Sequence, residues 1–179
     1  MLLVSLMEME KKQQHEHAYS LLRECLRNLR LEMPDEKGFG EGAHGKPYLL
    51  EYPHVHFNLS HGDGITACLV KGLECGIDCE KVKDYKPNVV KRCFSESEKK
   101  MMDDVPEKEK DKLFYRLWTL KEAYVKALGT GIGYPLDEVE FEINGEDIDS
   151  NVDGYSFRQY LLRGGKYVVS VCEKTKVGN

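Results

Sequence analysis

The chain has 179 residues, 41% of them apolar and 32% charged, with a formal net charge of −5. That length fits one domain or two small packed halves, and the acidic balance excludes a general nucleic-acid binder, which needs a basic face to meet phosphates. No stretch approaches the ~18 apolar residues of a membrane span, and MLLVSLMEMEKK lacks the cationic start of a signal peptide, so a soluble cytoplasmic protein is expected.

MLLVSLM suits a short buried strand. Over residues 13–33, Leu22, Cys25, Leu26 and Leu29 fall at helical spacing and predict a helix. PDEKGFGEGAHGKP is dense in glycine and proline and reads as a loop. VHFNLS alternates Val55, Phe57 and Leu59 against His56, Asn58 and Ser60, the pattern of a half-buried strand. HGDG is a turn, and ITACLVKG and LECGIDCEKV are two further strands. NVVKRCF makes a short helix, and Ser95 with Glu98 forms a capping-box pattern at the head of SESEKKMMDD. A long amphipathic helix follows from Glu107 to Leu128, with Leu113, Leu117, Leu120, Tyr124 and Leu128 as its apolar stripe. Gly129 stops it, as a glycine just past a helix end does. DEVEFEI, YSFRQYLL and KYVVSVC read as strands, joined by turns at NGED and RGG. Strands and helices mix without regular βαβ alternation, so the class is α+β.

Six cysteines, Cys25, Cys68, Cys75, Cys79, Cys93 and Cys172, include no CxxC spacing and are expected to stay reduced. Cys75, Ile77 and Cys79 share one face of their strand and should point to a core, which leaves Gly76, Asp78 and Glu80 on the other. Two carboxylates ~7 Å apart on one strand face repel unless a cation lies between them. Oxygen ligands of this kind suit Mg²⁺, and a solvated strand edge is the plain alternative. Glu122 and Lys126 stand four apart on the long helix, where a surface ion pair is the usual explanation. His54 and His56 share a strand face, which makes zinc conceivable without naming a fourth ligand. His61 ends its strand before a glycine-rich turn whose backbone N–H groups could help hold an anion.

The order GKPYL, FNLSH, GIDCEK, FSESE and WTLKEAYVKALGTGI is more specific than any one of its parts. It resembles the 4′-phosphopantetheinyl transferase superfamily, in its larger type that activates peptide and polyketide synthetases. The likeness runs from about Gly45 to Val139, and its signature is the GIDCE element followed by WTLKEAYVK. The chain is shorter than the larger members of that family, and the deficit falls in its first half.

The resemblance implies two similar α+β halves related by a pseudo-twofold, each with a small antiparallel sheet packed on helices. The halves would be 1–72, shortened, and 73–179, carrying the metal and catalytic motifs. It implies an enzyme that moves the phosphopantetheine arm of coenzyme A onto a serine of an apo acyl, peptidyl or polyketide carrier protein. Adenosine 3′,5′-bisphosphate would leave. Asp78, Glu80 and Glu122 fall on the metal-binding acids, for Mg²⁺ or Mn²⁺. Glu122 also falls on the base and Lys126 on the motif lysine. Lys46, Ser60 and His61 fall on the contacts to coenzyme A. No nucleic acid or membrane is implied as a partner, and two halves in one chain make a monomer the expectation. The rival reading is a module that binds coenzyme A or a carrier protein without turnover.

Overall fold

The computed structural model describes residues 1–176, and at Ile132 the backbone alone. In chain order the elements are β1 (Leu2–Ser5), α1 (Lys11–Asn28), β2 (Phe39–Glu41), β3 (Pro47–Leu49), β4 (His56–Gly62), β5 (Ile65–Lys71) and β6 (Cys75–Lys81). There follow α2 (Pro87–Cys93), α3 (Glu96–Asp104), α4 (Glu107–Leu128), β7 (Phe141–Asn144), β8 (Asp147–Ser150), β9 (Tyr155–Leu162) and β10 (Tyr167–Lys174). The class is α+β, as expected, and its sheets are small and antiparallel.

One sheet runs β1-β5-β4 and another β6-β10-β9. The β4–β5 hairpin turns on Asp63 and Gly64, whose φ of 73° lies where a side chain is strained. His61 and Gly62 therefore belong to the strand rather than to the expected four-residue turn. α1 covers one face of the first sheet, with Leu21, Leu22, Cys25 and Leu26 against Phe57, Cys68 and Val70. The other face, through Ile65, Ala67 and Leu69, meets Cys75, Ile77, Cys79, Val169 and Val171 of the second sheet. The far side of that second sheet, at Val168 and Cys172, is covered by α4 through Leu117, Leu120, Ala123 and Tyr124. The order of layers is thus α1, first sheet, second sheet, α4. The sequence boundary between residues 72 and 73 falls in the connection from β5 to β6.

Four expectations are corrected. α1 ends at Asn28 rather than Met33, because Arg30 takes φ of 60° and Leu31 turns its N–H back to Leu26 O at 2.9 Å. This is a helix stop of the kind glycine usually makes. The glycine-rich segment expected to be loop, 34–47, holds β2 and its turn and runs into β3 at Pro47, and β8 follows the NGED turn unannounced. The strand expected from Asp137 begins only at Phe141. On α4 burial extends beyond the apolar stripe: Tyr115 is 4% and Thr119 0% exposed. Thr119 Oγ1 lies 2.7 Å from Ser170 Oγ, so α4 is tied to β10 by a polar bond as well as by apolar packing.

All six thiols are free, and all but Cys93 are buried. Burial pushes Cys75 up to about 11 and Cys79 up to about 12. Thiolate is the reactive form. Native alkylation should therefore label Cys93 first and Cys75 and Cys79 only on unfolding, read by peptide mass. Early labelling of Cys75 and Cys79 would contradict this packing.

Candidate active site between β6 and α4

β6 is the edge strand of its sheet, and its outer N–H groups need partners; a buried one left unpaired costs about 1–3 kcal/mol. Side chains of β4 supply them. Ile77 N–H donates to Asn58 Oδ1 at 2.8 Å, and Cys79 N–H donates to Ser60 Oγ at 3.1 Å. This link fixes Asp78, which lies between the two donors.

Asp78 is 5% exposed. Its Oδ1 accepts from Ser60 Oγ at 3.0 Å and from Lys126 Nζ at 2.6 Å. Its Oδ2 is buried and has no hydrogen-bond partner among the described residues. Lys126 Nζ also reaches Ser60 Oγ at 3.2 Å. Burial pulls the Lys126 ammonium down, but Asp78 beside it more than offsets that, and the group is held above its ordinary value. The Glu122–Lys126 surface pair suggested by spacing does not form; Lys126 turns to Asp78 instead.

Glu80 and Glu122 are each partly buried. Burial first, and the Asp78 charge second, push the Glu80 carboxyl up to about 7. The same two causes raise Glu122, while Lys126 lowers it. Asp78 is thus the charge that raises both other acids. Even so, among the described residues no three His, Cys, Asp or Glu side chains are close enough to hold a metal ion between them. His54 and His56 thus have no zinc set around them.

Gly76 lets α4 ride on β6. A Cβ there would overlap the Ala123 carbonyl oxygen and the Ala127 nitrogen. Lys46 closes the same joint, donating to Cys75 O and to Ala127 O, both at 2.9 Å. Ala127 O is one of the carbonyls that a helix end leaves without an intrahelical partner, where a cation is favoured. Burial holds the Lys46 ammonium below its ordinary value.

A cavity of about 510 Å³ opens beside this joint, lined by Lys46, Asn58, Trp118, Glu122, Lys126 and Tyr134 among others. A second, of about 480 Å³, adjoins it past Gly45 and Pro47 and takes in His15, Tyr19, Phe39 and His61. The His15 and His61 rings stand 6.4 Å apart, and burial followed by His15 lowers the His61 imidazole. Thus Lys46, Glu122 and Lys126 face the larger cavity and His61 the smaller. Ser60 and Asp78 lie buried behind them, and Ser60 Oγ bonds Asp78, the Cys79 N–H and Lys126. Sequence reasoning missed Asn58, which it placed on a solvent face, and Lys121, which is wholly buried. The one available signal for Asn58 was its alternation with Ser60 on a single strand face.

Asp78 of β6 thus pairs directly with Lys126 of α4, beside the cavity that Glu122 and Lys126 line. The chain belongs to the 4′-phosphopantetheinyl transferase superfamily, whose model matches residues 74–172. It is 37% identical over 99 residues to a 4′-phosphopantetheinyl transferase of Bacillus subtilis, covering 55% of this chain and 44% of that one. It is 35% identical over 109 residues to the 4′-phosphopantetheinyl transferase Sfp of Bacillus subtilis (strain 168), covering 59% and 47%. The chain spans about half the length of the curated relatives it matches. The crystal structure of Thermotoga maritima holo-[acyl-carrier-protein] synthase aligns over 58% of this chain and 65% of its own, with 24% identity and a TM-score of 0.48.

Proposed function

We propose that the chain is a 4′-phosphopantetheinyl transferase. Its substrates are coenzyme A and the serine of an apo acyl, peptidyl or polyketide carrier protein, and it releases adenosine 3′,5′-bisphosphate. The observation that carries this reading is Asp78: buried, bonded to Lys126, with one oxygen unpartnered, behind a cleft that Glu122 and Lys126 line. An unpartnered carboxylate oxygen beside two more acids fits a hard cation, and the all-oxygen donor set suits Mg²⁺ or Mn²⁺. Asp78, Glu80 and Glu122 do not enclose an ion by themselves, but Mg²⁺ needs no more than one or two carboxylates beside waters and substrate phosphates, so these acids would hold it together with the bound pyrophosphate. Bound there, the ion would neutralise the pyrophosphate and polarise its phosphorus.

The chain's own residues do the rest. Glu122 takes the proton of the carrier serine as its hydroxyl oxygen bonds phosphorus. The bond from that phosphorus to the bridging oxygen of the pyrophosphate breaks, and adenosine 3′,5′-bisphosphate leaves with the electron pair. Lys126 meets the charge growing on the leaving group. Lys46 faces the same cavity and His61 the adjoining one, where each can meet a phosphate of coenzyme A. Ser60 orients Asp78 and Lys126 from behind. The halves 1–72 and 73–179 close the cleft from its two sides, and we place the enzyme in the cytoplasm as a monomer. Free thiols suit that compartment. Among the described residues no helix is long and apolar enough to cross a membrane.

Incubation with coenzyme A, Mg²⁺ and a panel of apo carriers should add one phosphopantetheine mass to a carrier. EDTA should abolish the transfer, and Mg²⁺ or Mn²⁺ should restore it. The ion should also raise the melting temperature of the free protein, since it binds the folded state. Coenzyme A binding with no transfer to any carrier would instead make the chain a binding module. Full transfer in EDTA would remove Asp78 and Glu80 from the metal role.

A further inference from the structure

Lys121 and Glu98 form a charged pair in which both side chains have no exposure, 2.8 Å apart. Lys121 Nζ also donates to Leu136 O at 2.8 Å and to Val139 O. The Phe94 and Phe141 rings lie 5.7 and 6.0 Å from that ammonium. Glu98 Oε2 accepts from Ser95 N–H at 2.9 Å, and its Oε1 accepts from Phe141 N–H at 3.1 Å. One pair thus joins α4, the head of α3, the connection Leu136–Val139 and the start of β7.

Two of these segments run into the walls of the larger cavity. Tyr134, Pro135, Leu136 and Asp137 form one wall; Arg92 and Cys93, just before Phe94 and Ser95, belong to another. The third is α4 itself, one residue before Glu122. The wall at 134–137 follows Gly129, Gly131 and Gly133, joins no sheet, and has a single 3₁₀ turn, Leu136–Glu138, as its own regular structure. Left alone, such a segment is soft.

A buried ion pair is a poor way to gain stability, because an apolar pair of similar volume often does as well or better. What an apolar pair cannot do is hold two backbone carbonyls at fixed points. We propose that Lys121 and Glu98 are positioning residues which hold the 134–139 wall against α4 and so set the cavity's affinity for coenzyme A, without touching it. What the cavity binds rests on the transferase reading; the hold on the wall does not.

The test is Lys121→Met combined with Glu98→Gln. The single Lys121→Met leaves the Glu98 charge buried and unpaired, and so risks failing to fold. The double variant leaves no unpaired charge, and the one carbonyl oxygen of Gln still serves the cap at Ser95, while the Phe141 N–H gives up its acceptor. Hydrogen exchange at the amides of residue 134 and of residues 136–139 should quicken at least tenfold, with the melting temperature within a few degrees of the parent. The dissociation constant for coenzyme A, by calorimetry, and its KM should each rise about tenfold, equivalent to ~1.4 kcal/mol, with kcat within about threefold. A large fall in melting temperature with KM unmoved would make the pair merely structural and overturn the proposal. So would unchanged exchange at 134–139. If the parent itself binds no coenzyme A, the transferase reading falls, while the exchange measurement still decides whether the pair holds the wall.

Discussion

Glu122→Gln should fold and melt like the parent and transfer phosphopantetheine ~10²–10⁴-fold more slowly, the usual worth of a positioned base. Gln keeps the shape and loses charge and basicity. α4 tolerates it, since Gln is nearly as good a helix former as Glu. Stability should hold for a further reason. Burial and Asp78 both raise the Glu122 carboxyl, so its charge is unwelcome in the empty site, and removing it relieves repulsion. No ion pair is lost, because Lys126 bonds Asp78 rather than Glu122. Coenzyme A retains Lys46, Lys126 and His61, so its binding should survive in part. Single-turnover transfer measured beside a thermal melt decides the matter. A variant that melts normally and transfers at the parent rate would end the role of Glu122 as base.

Where local signals agreed, the sequence was easy to read. α4 was bounded at both residues, because its apolar period runs unbroken to Gly129, which takes φ of 69°. The Ser95–Glu98 cap was visible as a motif and is made in the fold. The end of α1 was not, because Arg30 adopts a conformation for which composition gives no warning. β2 and β8 were missed because their residues include glycine or are mostly polar, and β3 because three residues, Pro47-Tyr48-Leu49, are too few to show an alternation; cross-strand pairing rather than propensity makes them strands. At the site, the spacing of Asp78, Glu80, Glu122 and Lys126 was legible, but not their partners. Lys121 and Lys126 lie five apart on one helix and look alike in sequence. One pairs with Glu98 out of all contact with solvent, and the other with Asp78 behind the cleft. Hydrophobic period marks where apolar residues face; it is silent on polar residues that are buried because they are paired.

Gly76→Ala should be the most damaging small change in the protein. On propensity alone it should be harmless, since glycine inside a strand costs roughly 0.5–1 kcal/mol relative to alanine. Space reverses the sign. The new methyl would overlap Ala123 O and Ala127 N and lie 3.0 Å from Ala127 Cα. These are backbone atoms of a packed helix, so no flexible side chain can swing aside. β6 and α4 must part. Overpacking of this kind costs typically ~1–3 kcal/mol and sometimes more. In a chain of this size each kcal/mol lowers the melting temperature by about 2–4 °C, so a fall of roughly 5–10 °C is expected. The same movement strains the Lys46 bridge between Cys75 O and Ala127 O. It also carries Glu122 and Lys126, on the helix, away from Asp78 and Glu80, on the strand. A misplacement of about 1 Å can cost ~10²-fold in rate, so transfer should fall that far even well below the melt. Gly72→Ala is the control, because nothing lies within 4 Å of a Cβ there. If Gly76→Ala melts and turns over as Gly72→Ala does, α4 does not rest on β6 at this point, and the joint that brings the strand acids to the helix base is drawn wrongly.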